Sequence, residues 1–340
     1  MILLAVGLCG TAFAQDTLKV SGALDDTLSL SQSVVTAKSR EQQLREGAFA
    51  VEAVNIRLQA STLSSVTSAI DRTSGIRIRE EGGVGSDYDL SINGLSGNAV
   101  RYFLDGMPLD AKGTGITLAN LPVNIIDRVE IYKGVIPASF GSDALGGAVN
   151  IITNRRTRNY LDFSYGFGSF HTHKADFSAQ YTGKKTGIVI KPVISANYSK
   201  NDYIMRDVKV RNEERTAFII KDLPRFHDDY LSLFGQLEAG VMDCSWTDAF
   251  FVSASVSKID KDIQTGATQD NVIGMAERHT QSLNVAARYE KADFLTEGMQ
   301  LQASVSQTFD HSWTIDTTFR RYYWDGTYID GSYRDRKSVV

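Results

Sequence analysis

Apolar and polar positions give this chain two textures. From residue 155 onward, long segments alternate with a period of two. Leu161, Phe163, Tyr165 and Phe167 share one face of an extended segment, and Asp162, Ser164 and Gly166 share the other. The alternation recurs over 177–181, 188–198, 231–237, 250–256, 283–289 and 299–305. Successive side chains of a strand point to opposite faces, so the pattern predicts seven strands, each apolar on one face and small-polar on the other. Such strands suit an antiparallel transmembrane β-barrel, with apolar residues toward lipid and polar ones toward a wet lumen. A soluble sandwich also alternates. The connections favour the barrel: short links at 184–186, 242–244 and 292–297 alternate with long polar links at 200–229 and 259–278, as turns and loops do on the two sides of a membrane. A barrel wide enough to enclose a folded domain takes about 22 strands. These segments are therefore expected to be part of a longer wall, and the polar ending at 334–340 is expected to be a truncation.

Residues 40–154 read as one compact α/β domain. Leu63, Val66 and Ile70 follow helical spacing, with Ser61 or Thr62 as the cap and Gly75 as the stop. Ile76 and Ile78 alternate with Arg77 and Arg79. Leu90 and Ile92 form another strand, closed by an Asn93-Gly94 turn. Val100, Tyr102 and Leu104 form the next, ended by Asp105-Gly106-Met107-Pro108. Two apolar runs, 129–132 and 148–152, flank a centre rich in turn residues, including Gly134, Gly141, Gly146 and Gly147. The cluster of Gly82, Gly83 and Gly85 is not followed by the Lys-Ser/Thr of a phosphate loop.

Ahead of this domain, residues 15–39 are polar and poor in aromatics and predict a flexible lead. Within it Val34-Val35-Thr36-Ala37 forms a short extended island, suited to adding as a strand to a partner's sheet edge; the plainer alternative is the first strand of the next domain. Residues 1–14 resemble a signal-peptide core ending in Ala12-Phe13-Ala14.

Composition narrows the function. A net charge of −4 argues against nucleic acid as a partner. Two cysteines, Cys9 and Cys244, make no disulfide framework and no zinc spacing. The five histidines form no H-x-x-x-H pair, and no metal is expected at His171 and His173. No catalytic or nucleotide motif occurs, so neither enzyme activity nor a cofactor is expected.

Several of these residues match a known family. Val129-Glu130-Ile131, Lys133-Gly134, Phe140-Gly141, Ala144, Gly146-Gly147 and Val149-Asn150-Ile151-Ile152-Thr153 resemble the plug signature of TonB-dependent outer-membrane receptors of Gram-negative bacteria. Asn93-Gly94-Leu95 and the run to Asp105-Gly106-Met107-Pro108 resemble a second plug motif. Asn93 stands where the family often has Arg, and Phe140 where it usually has Tyr. The resemblance implies a plug domain inside an outer-membrane barrel, with Val34, Val35, Thr36 and Ala37 as the box bound by the periplasmic partner TonB. It implies uptake of a scarce nutrient, with a ferric siderophore as the leading expectation and haem, cobalamin or an oligosaccharide as others. By analogy with family plug loops, Tyr88, Asp110 and Lys112 are candidate cargo contacts. The basic aromatic stretch 320–324 with Tyr328 and Tyr333 is either an anion-stacking surface or an interfacial girdle. The alternative on the same scaffold is a non-transporting adhesin or signalling receptor.

Overall fold

A computed structural model describes residues 50–56, 65–137, 140, 145–154, 159–183, 186–211, 216–266, 272–296, 298–299, 301–316 and 320–330. The signal segment, the lead with Val34, Val35, Thr36 and Ala37, the cap candidates Ser61 and Thr62, Gly141 and Tyr333 lie outside the described residues.

The first domain is built on a five-stranded sheet in the order β1-β6-β7-β4-β5. Its strands are β1 (Val51–Asn55), β4 (Val100–Leu104), β5 (Met107–Pro108), β6 (Ile126–Lys133) and β7 (Gly147–Thr153). β6 and β7 pair antiparallel, whereas β4 and β7 run parallel. The runs at 129–132 and 148–152 are apolar on both faces except at Glu130 and Asn150, because both faces of the sheet are covered. Val129, Ile131, Val149 and Ile151 pack into the main core with Val66, Ile70, Leu90 and Ile92. On the other face Tyr132, Ala148, Phe103 and Val51 form a second cluster, roofed by Phe140.

A hairpin of β2 (Ile76–Glu80) and β3 (Tyr88–Ile92) stands beside the sheet. Asn93 and Gly94 take φ of 51° and 85°, the left-handed pair that a tight hairpin turn requires. The helix is shorter than its spacing predicts. α1 spans Val66–Ile70, and its cap is Ser65, whose Oγ accepts the Ser68 N–H at 3.2 Å.

Seven strands then form one antiparallel sheet, in the order β16-β15-β14-β13-β10-β9-β8. They are β8 (Tyr160–Gly168), β9 (Thr172–Thr182), β10 (Ile188–Ser199), β13 (Tyr230–Cys244), β14 (Thr247–Thr265), β15 (Val272–Lys291) and β16 (Leu301–Ile315). Its burial inverts the soluble rule. Leu161 and Phe309 are 72% and 62% exposed, while Ser178 and Asn284 are 0% and 1% exposed. An apolar face this broad and uncovered is a lipid-facing wall and not half of a sandwich. The inner face is not purely small-polar: Val189, Val193, Phe234 and Phe251 also point inward and are buried.

Three connections differ from expectation. The turn between β13 and β14 is Ser245-Trp246, since β13 continues through Cys244. The expected loop at 259–278 is mostly strand, because β14 reaches Thr265 and β15 starts at Val272. Ladder pairs such as Asp260↔His279 continue where one face has turned to Lys258, Asp260 and Asp262 and Lys261 interrupts Ile259 and Ile263 on the other, so the backbone stays extended after the apolar alternation has ended. The link at 200–229 carries its own hairpin, β11 (Ile204–Arg211) with β12 (Phe218–Pro224). After β16 a further hairpin pairs β17 (Arg320–Tyr322) with β18 (Tyr328–Asp330).

Candidate functional site

Residues far apart in sequence meet on one face of the first domain's sheet. Asp105 and Gly106 turn the chain from β4 into β5 with φ of 51° and 81°. The Gly106 N–H donates to Asn150 Oδ1 at 3.1 Å. Asn150 Nδ2 donates to Glu130 Oε2 at 3.3 Å, and Tyr132 Oη donates to the same oxygen at 3.0 Å. Arg128 closes on Glu130 Oε1 with two bonds, 2.9 Å from Nε and 2.7 Å from Nη2. Glu130 is buried, and a buried carboxylate needs this full set of donors. Asp105 accepts from Thr153 twice, 3.0 Å from its N–H and 2.6 Å from Oγ1. From the wall, Arg288 Nη1 approaches Asp105 Oδ2 at 3.8 Å. Gly106, Asn150 and Glu130 thus belong to one hydrogen-bonded chain, and Asp105, next to Gly106, is tied to Thr153 instead. Pro108 follows in β5, exposed, and Gly134 ends β6 at an exposed turn.

The domain meets the wall along a seam of backbone groups. Asn284 Nδ2, Ser306 Oγ and Thr308 Oγ1 converge on the Ala111 carbonyl at 3.1, 3.0 and 2.6 Å. The Thr114 N–H donates to Asp310 Oδ2 at 3.1 Å, and the Gly115 N–H to Ser282 Oγ at 3.0 Å. Near the long-link end, Asn201 clasps the Val84 backbone, accepting its N–H at 3.0 Å and donating to its carbonyl at 2.9 Å. Small residues make this approach possible. A Cβ on Gly113 would sit 2.7 Å from Asp310 Oδ1, and one on Gly115 would overlap the Ser257 hydroxyl. Gly146 and Gly147 are tight for another reason. A Cβ on Gly146 would lie 2.9 Å from Leu95 Cβ, and one on Gly147 would overlap the Tyr132 carbonyl oxygen. Those contacts lie within the domain, not against the wall.

The three expected cargo contacts do not converge. Tyr88 is half-buried against the main core, and burial pushes its phenol above its ordinary pKa. Asp110 is exposed and pairs with Arg101 at 3.3 Å. Lys112 is 7% exposed and lines a cavity of about 60 Å³ with Asp105, Glu238 and Arg288. Burial there holds its ammonium below the ordinary lysine range. It belongs to the seam rather than to an open loop. A larger cavity, about 330 Å³, is lined by Val84 and Asn120 of the first domain and by Lys174, Asn197 and Tyr230 of the wall. The stretch 320–324 is folded into the layer beyond the wall: Trp324 packs with Val208 and Val210, and Arg320 lies 4.0 Å over the Tyr328 ring. Sequence reasoning missed Asn201, Arg288 and Asp310 as partners of the first domain. Their inward position in polar-faced segments was the available signal.

Residues 43–148 match the family model described as TonB-dependent Receptor Plug Domain. A curated relative, the vitamin B12 transporter BtuB of Vibrio vulnificus, is 31% identical over 158 residues, which is 46% of this chain and 26% of the relative. The siderophore receptor PiuA of Acinetobacter baumannii superposes with a TM-score of 0.55 at 14% identity, over 78% of this chain and 36% of that one. The ferric enterobactin receptor PfeA of Pseudomonas aeruginosa, in a mutant form, gives 0.57 at 15% identity, over 85% and 44%. The chain therefore matches about a quarter of the curated relative's length and under half of either solved structure.

Proposed function

We propose that this chain, the plug domain and leading barrel strands of a TonB-dependent outer-membrane receptor of a Gram-negative bacterium, serves active uptake of a large, scarce nutrient. In this reading residues 1–14 are a signal peptide, 15–39 the lead with the TonB box, 40–154 the plug and 155–340 the first part of the barrel. The observation that carries it is the polar seam. Plug backbone groups are held by Ser, Thr, Asn and Asp side chains of the wall. Each such bond contributes only about 1 kcal/mol net, because water can replace either partner. A plug held this way stays closed at rest and yields to a pull. TonB supplies that pull by pairing with Val34, Val35, Thr36 and Ala37 as an added strand. No bond in the cargo is made or broken.

A ferric siderophore is the cargo we propose first. The Arg320–Tyr328 pair sets a cation beside an aromatic face, and an anionic chelate would bind there by displacing the exposed Asp330 carboxylate that pairs with Arg320 at 3.3 Å. Cobalamin is the second reading, supported by the name of the curated relative. The coupling test is Val35→Pro in the whole receptor, which removes a strand N–H. Cargo binding is expected to persist while uptake is lost; unchanged uptake would sink the box assignment. Growth of a deletion strain on single iron, cobalamin or glycan sources names the cargo. Equal growth on all of them would favour the adhesin reading.

A further inference from the structure

The β14–β15 pair sets two carboxylates face to face. Asp262 and Glu277 are direct partners in its register, and like charges in that position destabilise a strand pair. His227, from the link ahead of β13, closes over them. Its Nδ1 lies 3.2 Å from Asp262 Oδ2. One ligand atom from each of the three residues lies within 4.8 Å of the others.

The imidazole is fixed in one orientation. His227 Nε2 lies 3.2 Å from the Ala276 carbonyl oxygen. A carbonyl only accepts, so Nε2 carries the hydrogen, and in the neutral ring Nδ1 is a bare lone pair. That lone pair points at a carboxylate, on a side chain only 9% exposed. The nearby cations are engaged elsewhere. Lys261 Nζ bonds Asp228 Oδ1 at 2.8 Å, and Lys258 pairs with Asp260 at 2.7 Å. His279 bonds Asp260 at 2.7 Å and reaches Glu277 Oε2 only at 3.4 Å. Asp229, adjoining the cluster, adds a further carboxylate and accepts from Tyr198 Oη at 3.3 Å.

We propose that His227, Asp262 and Glu277 form a site for a divalent cation of the zinc class. One imidazole nitrogen with two carboxylate oxygens suits zinc, with solvent completing four-coordination, and the nitrogen disfavours calcium and magnesium. Donors about 2.1 Å from a tetrahedral zinc sit roughly 3.4 Å apart, close to the 3.2 Å between His227 and Asp262. The bond from Nε2–H to Ala276 is the outer support that metal-bound imidazoles use. The ion would offset the opposed carboxylates and tie the link that carries β11 and β12 to two wall strands. The site adjoins the Asn201 clasp, since Asn201 Nδ2 also donates to the carbonyl of Asp228, next to His227, at 3.0 Å; its test reads metal binding and not transport, so it holds or fails independently of the uptake reading.

The test uses the whole receptor, purified in detergent and stripped with a chelator, then titrated with Zn²⁺ by calorimetry. One saturable site is expected. His227→Ala and Glu277→Gln should each weaken it about tenfold or more. His171→Ala, an exposed histidine beside Asp202, should leave it unchanged. Co²⁺ in place of Zn²⁺ should give a visible absorption band that both site variants lose. Glu277 is 46% exposed in its side chain, so its isosteric variant keeps the test alive should His227→Ala fail to fold. Absence of saturable uptake, as expected if His227 is simply protonated against Asp262, would overturn the proposal. So would zinc binding that Glu277→Gln leaves intact.

Discussion

Asn150 holds Gly106 from the neighbouring strand: its Oδ1 accepts the Gly106 N–H at 3.1 Å, while its Nδ2 serves Glu130. One amide thus satisfies a turn and a buried carboxylate together. Asn150→Ala leaves both partners short of a bond, at a cost of about 2 kcal/mol to the plug. Hydrogen exchange in the whole protein should show faster opening at Gly106 and across β7. A loss under about 0.5 kcal/mol would mean that water replaces the amide fully.

Gly147 and Gly94 separate two kinds of glycine requirement. Gly147 has φ +141° and no room for a Cβ, whereas Gly94 has φ +85° and nothing within 4 Å. Gly94→Ala should cost only the left-handed backbone penalty, roughly 1–2 kcal/mol. Gly147→Val should disorganise the β6–β7 pair, and limited proteolysis should cut its plug far sooner than that of Gly94→Ala. Equal protease resistance in the two variants would refute the distinction.

Lys112 makes plug stability depend on pH. Burial lowers its folded pKa, opposed by Asp105 and Glu238 and reinforced by Arg288. Between the lowered value and about 10.4 the unfolded chain keeps a proton that the folded chain has released, so stability rises with pH across that window. Lys112→Met should flatten this slope. The urea midpoint for loss of plug protection, followed from neutral to alkaline pH, measures it. An unchanged slope in the variant would assign the dependence to another group.

Val256 faces lipid, 56% exposed on the outer side of β14. Val252→Arg, further into the apolar run of that face, should cost about 2–4 kcal/mol, and Val256→Arg, at the rim of that run, only about 0–1 kcal/mol. Lys258→Arg, two residues along the same face, should be neutral. Refolding yield into lipid vesicles compares the three.

The wall was legible where its two faces differ in chemistry. Between Val252 and Val256, lipid on one side and the plug on the other impose strict alternation. From Lys258 to Thr265 the strand continues with polar residues on both faces, and nothing in the period then marks it as strand. The plug motifs were legible as motifs, but their joining into one hydrogen-bonded chain was not. Asp105 meets Thr153, and Asn150 meets Glu130, only after β4, β6 and β7 have paired. The tightness of Gly146 and Gly147 lies inside the plug, against Leu95 and the Tyr132 carbonyl. Gly113 and Gly115 are tight against the wall, because Asp310 and Ser257 are brought to them from far along the chain. Lys112 was expected on an open loop, and no local feature of its neighbours reveals the cavity that encloses it.

Val193 and Phe234 of the wall belong to the same buried cluster as Ile116, Leu118 and Leu121 of the plug. The interface therefore has two kinds of fastening. The bonds to Ala111, Thr114 and Gly115 can be traded for water one at a time. The apolar patch cannot, since wetting each large side chain costs about 1.5–3 kcal/mol with no replacement partner. In the proposed uptake reading, a pull on the plug would part the polar side first, and the apolar patch at Val193 and Phe234 would be the last to separate.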